Sequence, residues 1–137
     1  DIELSTAAGD HIRLAGYTHA IEGDTLTLTL WWVAQRRPRA DYTTFVHLFD
    51  PATEDIPVQH DAMPRQGRYP TSGWMAGEVV SDTIRLSLTD VPPGDYQLAV
   101  GMYDLTTGER LSPRAPDGTL LPHQRVVLPE TLEVPQE

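Results

Sequence analysis

Twelve residues in the first quarter of the chain restrict its fold more than any other feature. Asp24 to Gln35 reads DTLTLTLWWVAQ, with Leu26, Leu28, Leu30, Trp32 and Ala34 on one face and Thr25, Thr27, Thr29 and Trp31 on the other. A helix would scatter those leucines around its axis. Alternation with a period of two, rich in β-branched residues, belongs to a strand with one buried face. Further strands follow the same logic. Tyr42 to Asp50 (YTTFVHLFD) is apolar on both faces, as a more central strand requires. Val79 to Leu88 aligns Val80, Ile84, Leu86 and Leu88, and Tyr96 to Tyr103 aligns Tyr96, Leu98, Val100 and Met102.

Turn residues punctuate these runs at Glu22-Gly23-Asp24, Pro92-Pro93-Gly94-Asp95 and Leu105-Thr106-Thr107-Gly108. The first strand, His11 to Ile21, changes parity: Ile12 and Leu14 share one face, whereas Tyr17, His19 and Ile21 have the opposite phase. A bulge at Gly16 would turn both sets into the core. Leu120 to Val134, interrupted by Pro122 and Pro129, has the composition of one or two edge strands. No stretch carries a helical period of useful length. Seven or eight strands with short turns predict an all-β fold, a two-sheet antiparallel β-sandwich of immunoglobulin-like or related type. A jelly roll or a closed barrel is the alternative. Residues 1–137 are expected to form one domain.

Composition narrows the partners. The formal net charge is -10, with 20 acidic residues against 10 basic ones, and every basic residue is Arg. An acidic domain is repelled by nucleic acid and by anionic membrane surfaces, so neither is expected as a partner. No apolar run approaches the roughly 20 residues needed to cross a bilayer, so no direct membrane insertion by this stretch is expected. Cysteine is absent, which removes disulfides, thiolate metal sites and thiol nucleophiles together. The first residue is Asp, which fits a processed or excised piece of a larger protein.

Several segments jointly carry a resemblance. They are Leu14-Ala15-Gly16-Tyr17, Gly23-Asp24-Thr25-Leu26 leading into a Trp-containing strand, Tyr42 to Leu48, and Gln59-His60-Asp61. Gly67-Arg68-Tyr69-Pro70-Thr71-Ser72, Trp74 with Gly77-Glu78, Gly94-Asp95-Tyr96, Gly101-Met102-Tyr103-Asp104 and Thr107-Gly108-Glu109-Arg110-Leu111 complete the set. Over roughly Ile12 to Leu111 the chain resembles the C-terminal β-sandwich domain of Chloroflexus-type bacterial membrane glycosyltransferase-like proteins. The resemblance implies an accessory module on the extracytoplasmic face of the membrane. Catalysis would reside in the membrane part of the larger protein, and the partner would be that membrane domain or a glycan.

No catalytic constellation stands out. The five histidines (His11, His19, His47, His60 and His123) form no HxH or HExxH pattern, and no Ser sits in a nucleophile elbow. No metal site and no cofactor is expected, and Asp50, Glu54 and Asp55 lack the spacing of a calcium loop. A glycoside-processing enzyme would need two carboxylates across a cleft, about 5 to 9 Å apart. Asp61 and Glu78 bracket a long irregular segment, and Asp82 follows on a strand. Asp82 has the parity of Val80, Ile84 and Leu86, which points it inward. A buried carboxylate must be paired or hydrogen-bonded, so Asp82 is expected to anchor the loop through Arg68 or loop amides.

That segment, Asp61 to Glu78, also holds the candidate ligand site. Structureless loops of such length are uncommon in compact domains and often functional. Sugars are read by aromatic rings that stack on pyranose faces, beside polar groups that bond the hydroxyls. Trp74 and Tyr69, with Arg68, His60 and Asp61, form one such set, and Trp31 on the threonine face of its strand is a second candidate. The competing reading is structural, with Trp74 plugging the open end of the sandwich and Tyr69 anchoring the loop. The expected function is a non-catalytic accessory or interaction module, with carbohydrate binding by loop aromatics as the alternative.

Overall fold

The structure, a computed structural model, describes residues 2–5 and 9–135. The alternating segment forms β3 (Thr25–Ala34), and its five predicted core residues, Leu26, Leu28, Leu30, Trp32 and Ala34, are completely buried. β2 (His11–Glu22) and β6 (Val79–Ser87) flank it, and β1 (Ile2–Ser5) and β8 (Ser112–Arg114) extend the sheet beyond β2. The second sheet contains β4 (Tyr42–Phe49), β5 (Val58–Ala62) and β7 (Gly94–Asp104), with β9 (Val126–Val127) and β10 (Leu132–Val134) along the far side of β7. All pairings are antiparallel.

The two sheets pack face to face around one apolar cluster, an open sandwich and not a closed barrel. The strand orders β6-β3-β2 and β10-β7-β4-β5 are those of an immunoglobulin-like sandwich. β2, β3 and β6 take the places of its strands A, B and E, and β4, β7 and β10 those of C, F and G. Alternation fixes which face a residue occupies but not its partner strand, so the sequence left this order open. Three short strands, β1, β5 and β8, have too few residues to alternate visibly. The Pro-rich terminal segment makes a single interrupted edge, in which β9 and β10 both pair with β7 and Pro129 lies in the break.

The parity change in β2 is a bulge. Leu14 pairs with Trp32 and Gly16 with Trp31, so the extra residue is Ala15 and not Gly16 itself. Beyond it Tyr17, His19 and Ile21 pair with the buried Leu30, Leu28 and Leu26. This half of the strand is only half buried, and the C-terminal segment closes over it. The Glu130 carboxylate accepts a hydrogen bond from the Tyr17 hydroxyl at 2.7 Å and lies 3.2 Å from His19 Nε2. Burial, followed by the bond to Glu130, pushes Tyr17 up to about 12.

β4 is buried along its whole length. Its core row is Tyr42, Thr44, Val46 and Leu48, and its outer row, Phe45, His47 and Phe49, is roofed by cations. The Arg110 guanidinium lies 4.3 Å from the Phe45 ring centroid, and that of Arg125 lies 4.4 Å from Phe49. Burial first, then the Arg110 charge, pushes His47 below its ordinary value. The Phe45 ring covers the bare backbone of its cross-strand partner Gly101. A Cβ built there would sit 2.5 Å from the ring, so the position has room for glycine alone.

The crossing from β6 to β7 carries a tyrosine corner. Tyr96, at the start of β7, is nearly buried, and its hydroxyl donates to the Pro92 carbonyl four residues upstream at 2.7 Å. Tyr96→Phe keeps the ring and strands that carbonyl. Thermal unfolding should show a loss of about 1 kcal/mol, or roughly 3–5 °C for a domain of this size.

Candidate functional site

The irregular segment begins later than expected, because β5 takes in His60 and Asp61. What remains, from Met63 to Glu78, holds two 3-10 turns at Pro64–Gly67 and Thr71–Gly73. Trp74 is fully buried, packed with the main core, and its indole Nε1 donates to the Tyr69 carbonyl at 3.0 Å. Neither face of the ring is open for stacking, so the expectation of a sugar platform on Trp74 fails. Tyr69 is half buried beside it, with ring centroids 6.4 Å apart. Its hydroxyl donates to Glu78, 2.6 and 2.8 Å from the two carboxylate oxygens. Glu78 also accepts the Met75 N–H, and this bond, then that from Tyr69, holds its carboxyl below the usual range.

The segment is stitched to residues 34–42. Thr71 Oγ1 donates to the Ala40 carbonyl and accepts the Tyr42 N–H. The Ser72 N–H reaches Asp41, Arg37 Nε reaches the Ser72 carbonyl, and the Gly77 N–H reaches Ala34. A loop with this many fixed backbone groups is a closure of the sandwich end, with few groups left to present.

Asp82 completes the closure. It is buried at 3% exposure in the inward row of β6, opposite Leu30, and accepts the Arg65 N–H at 2.9 Å. Arg65 Nε in turn donates to the Ser81 carbonyl at 2.8 Å. Arg65 and Gln66 both lie in the left-handed region, at φ 54° and 57°, where two consecutive non-glycine residues persist only if held. These two bonds hold them. The anchor is therefore the backbone of Arg65. Arg68 is exposed and takes no part in it. Burial pushes the Asp82 carboxyl up, opposed by the Arg65 N–H and the charges of His60 and Arg65.

His60 and Asp61 do not converge on a ligand. Adjacent on β5, they point to opposite faces: His60 shares the side of its partner Val46, and Asp61 that of Phe45. The Asp61 carboxylate accepts the Tyr103 hydroxyl at 2.9 Å across β4. The five residues grouped by sequence proximity are thus dispersed, with Trp74 inside, Tyr69 bonded to Glu78, Arg68 in solvent, and His60 and Asp61 on two faces of a sheet. Asp61 and Glu78, the two acids that bracket the segment, are each occupied by a tyrosine hydroxyl. Among the described residues no group of three or more His, Asp or Glu side chains could hold a metal ion, and no helix is long and apolar enough to cross a membrane.

Trp31 is placed differently. It sits half buried near the middle of the outer face of the first sheet, between Gly16 on β2 and Ser81 on β6. The next outward row is Arg13, Val33 and Val79, with Val79 60% exposed. On the other side lie Thr18, Thr29 and Thr83, and the last two hydroxyls are 3.0 Å apart. Its two cross-strand neighbours, Gly16 and Ser81, are small, and the indole is half buried. The parity break at Gly16 signalled this arrangement, but only the register shows that the glycine lies against Trp31.

No family model matches the chain, and no curated protein matches it. Among solved structures it is similar to part of β-glucosidase 3B from Thermotoga neapolitana in complex with glucose. That likeness has 13% identity and a TM-score of 0.47, and covers 89% of this chain and 16% of that one. It is also similar to chicken MD-1 complexed with lipid IVa, at 9% identity and a TM-score of 0.42, covering 82% of this chain and 92% of that one. The chain thus spans about a sixth of the glucosidase. At these values neither likeness bears on ligand or activity.

Two substitutions test the closure. Trp74→Ala opens a large cavity and removes the bond to Tyr69, and denaturant unfolding should show a loss of about 3–5 kcal/mol. Asp82→Asn keeps an acceptor for the Arg65 N–H while removing the buried charge. Because the folded-state pKa of Asp82 is raised, its favourable contribution exists below the unfolded carboxylate value and fades as pH rises through the folded one. The Asn variant should therefore melt no lower than the parent at pH 7, and its relative advantage should shrink as the pH approaches about 4. A variant that melts well below the parent at pH 7 would show that the ionised carboxylate itself stabilises the loop.

Proposed function

We propose that this domain is a non-catalytic interaction module whose contact surface is the outer face of the first sheet, centred on Trp31. The observation that carries the reading is the indole itself. A half-buried Trp in an otherwise threonine-lined face, flanked by Gly16 and Ser81 and continued by Val33 and the exposed Val79, is an amphipathic patch of the composition that binding surfaces favour. The closed loop supports it indirectly, because Trp74, Tyr69 and Asp61, three of the residues that suggested a pocket there, are spent on structure. The resemblance to accessory sandwiches of membrane sugar-transfer proteins favours an extracytoplasmic setting. The partner in this reading is the remainder of such a larger polypeptide.

A second reading rests on the same residue. The hydroxyls of Thr29, Thr83 and Ser81 around an indole with small flanks suit a glycan, whose apolar ring face stacks while its rim bonds to polar groups.

Trp31→Ala should cost about 1–2 kcal/mol for the apolar area and strand propensity it gives up, yet leave the domain folded, since its ring lies outside the core. A photoreactive phenylalanine derivative at position 31 of the full-length gene product should crosslink in native membranes to peptides of that same polypeptide. Crosslinks to glycan alone would favour the second reading. Absence of any crosslink from position 31 would overturn both.

A further inference from the structure

A second site lies at the same end of the sandwich, beside the start of β4, where the irregular segment is also anchored. Residues from both sheets enclose a cleft of about 860 Å³, within the range of roughly 300–1,000 Å³ common for small-molecule sites. Its lining combines apolar surface from Ala40 and Leu111 with Asp10, Arg39, Asp104, Glu109 and Arg110. These groups come from three separate stretches of chain, which is why no motif in the sequence announces them.

The walls are preorganised. Asp10 is only 6% exposed, and its carboxylate accepts the hydroxyl of Tyr42 and the N–H of Arg39. Facing it, the Asp104–Glu109 turn is closed by its own bonds. The Asp104 N–H donates to the Glu109 carbonyl at 2.8 Å, Asp104 Oδ1 accepts the Thr106 N–H, and the Glu109 N–H donates to Thr107 Oγ1. Arg110 is fixed by its seat on the Phe45 ring and by donation to the His123 carbonyl at 3.0 Å.

The chemistry of this wall selects a ligand class. Three carboxylates and two guanidinium groups give the lining a formal charge of about -1, on a chain already at -10. A phosphate or carboxylate ligand would meet Asp104 and Glu109, with Asp10 already committed to Tyr42 and Arg39, and a cation would meet the two arginines. A hydroxyl both donates and accepts, so a neutral ligand with many hydroxyls can bond to both kinds of group at once. We infer that the end cleft binds a short neutral oligosaccharide, independently of the Trp31 face.

The test is an amide-resolved NMR titration of the chain with cellotriose, maltotriose and mannotriose, with trigalacturonate as the anionic control. At least one neutral sugar should shift amides of residues 39–42 and 104–112 progressively at millimolar concentrations. Glu109→Ala, on an exposed turn, and Arg39→Ala should each weaken that binding by roughly tenfold or more, the loss expected for one hydrogen bond to a charged group. Trp31→Ala should leave it unchanged. Three results would each overturn the inference: no cleft amide moves with any neutral sugar, trigalacturonate binds as tightly, or the shifts map to the Trp31 face and vanish in Trp31→Ala. The last would support the glycan reading of that face while removing the cleft from it.

Discussion

One extra residue in β2 decides how the first sheet is used. Side chains of a strand alternate strictly, so without the bulge at Ala15 the strand could bury either Ile12 and Leu14 or Tyr17, His19 and Ile21, but not both sets. The inserted residue resets the phase and directs both sets toward the core. It also leaves Gly16 in register with Trp31. The same local event therefore completes the apolar layer on one side and sets a glycine beside a half-buried aromatic ring on the other. Core and candidate contact face are consequences of a single irregularity.

The end of the sandwich nearest the irregular segment is closed by polar chemistry as much as by apolar packing. Trp74 fills the volume, but its position depends on the Tyr69 carbonyl, and Tyr69 depends on Glu78. Asp82 meanwhile holds a left-handed turn that the residues Arg65 and Gln66 would not adopt unaided. Buried polar groups carry a desolvation cost that only bonded partners offset. Trp32 and Thr44 are the exceptions, since Trp32 Nε1 and Thr44 Oγ1 find no partner among the described residues. The cleft beside the closed end shares Ala40 and Tyr42 with that closure and sets charged groups around open volume.

The sequence was most legible where periodicity speaks directly. The inward rows of β3, β6 and β7 and the double burial of β4 could all be read from alternation, because the face a residue occupies depends only on parity. The inward carboxylate of Asp82 followed from the same rule. Strand partners did not follow, and neither did β1, β5 or β8, whose three to five residues carry too little pattern. The candidate site was read less well. Tyr69, Trp74, His60 and Asp61 are close along the chain, and that proximity suggested convergence. Strand geometry separates His60 from Asp61 by sending neighbours to opposite faces, and the hydrophobic effect draws Trp74 inward. The cleft could not be read at all, because its walls join segments as far apart as Asp10 and Arg110.

The contact between Phe45 and Gly101 has a bearing on inheritance. The ring of one residue occupies the space that a side chain of the other would need, across a strand pair whose members are more than fifty positions apart in the sequence. The two codons therefore share one volume. A lineage could enlarge residue 101 only after residue 45 had shrunk, and Arg110 would then lose the ring on which it rests. Drift at a buried, chemically inert glycine is in this way tied to the shape of a charged cleft on the surface.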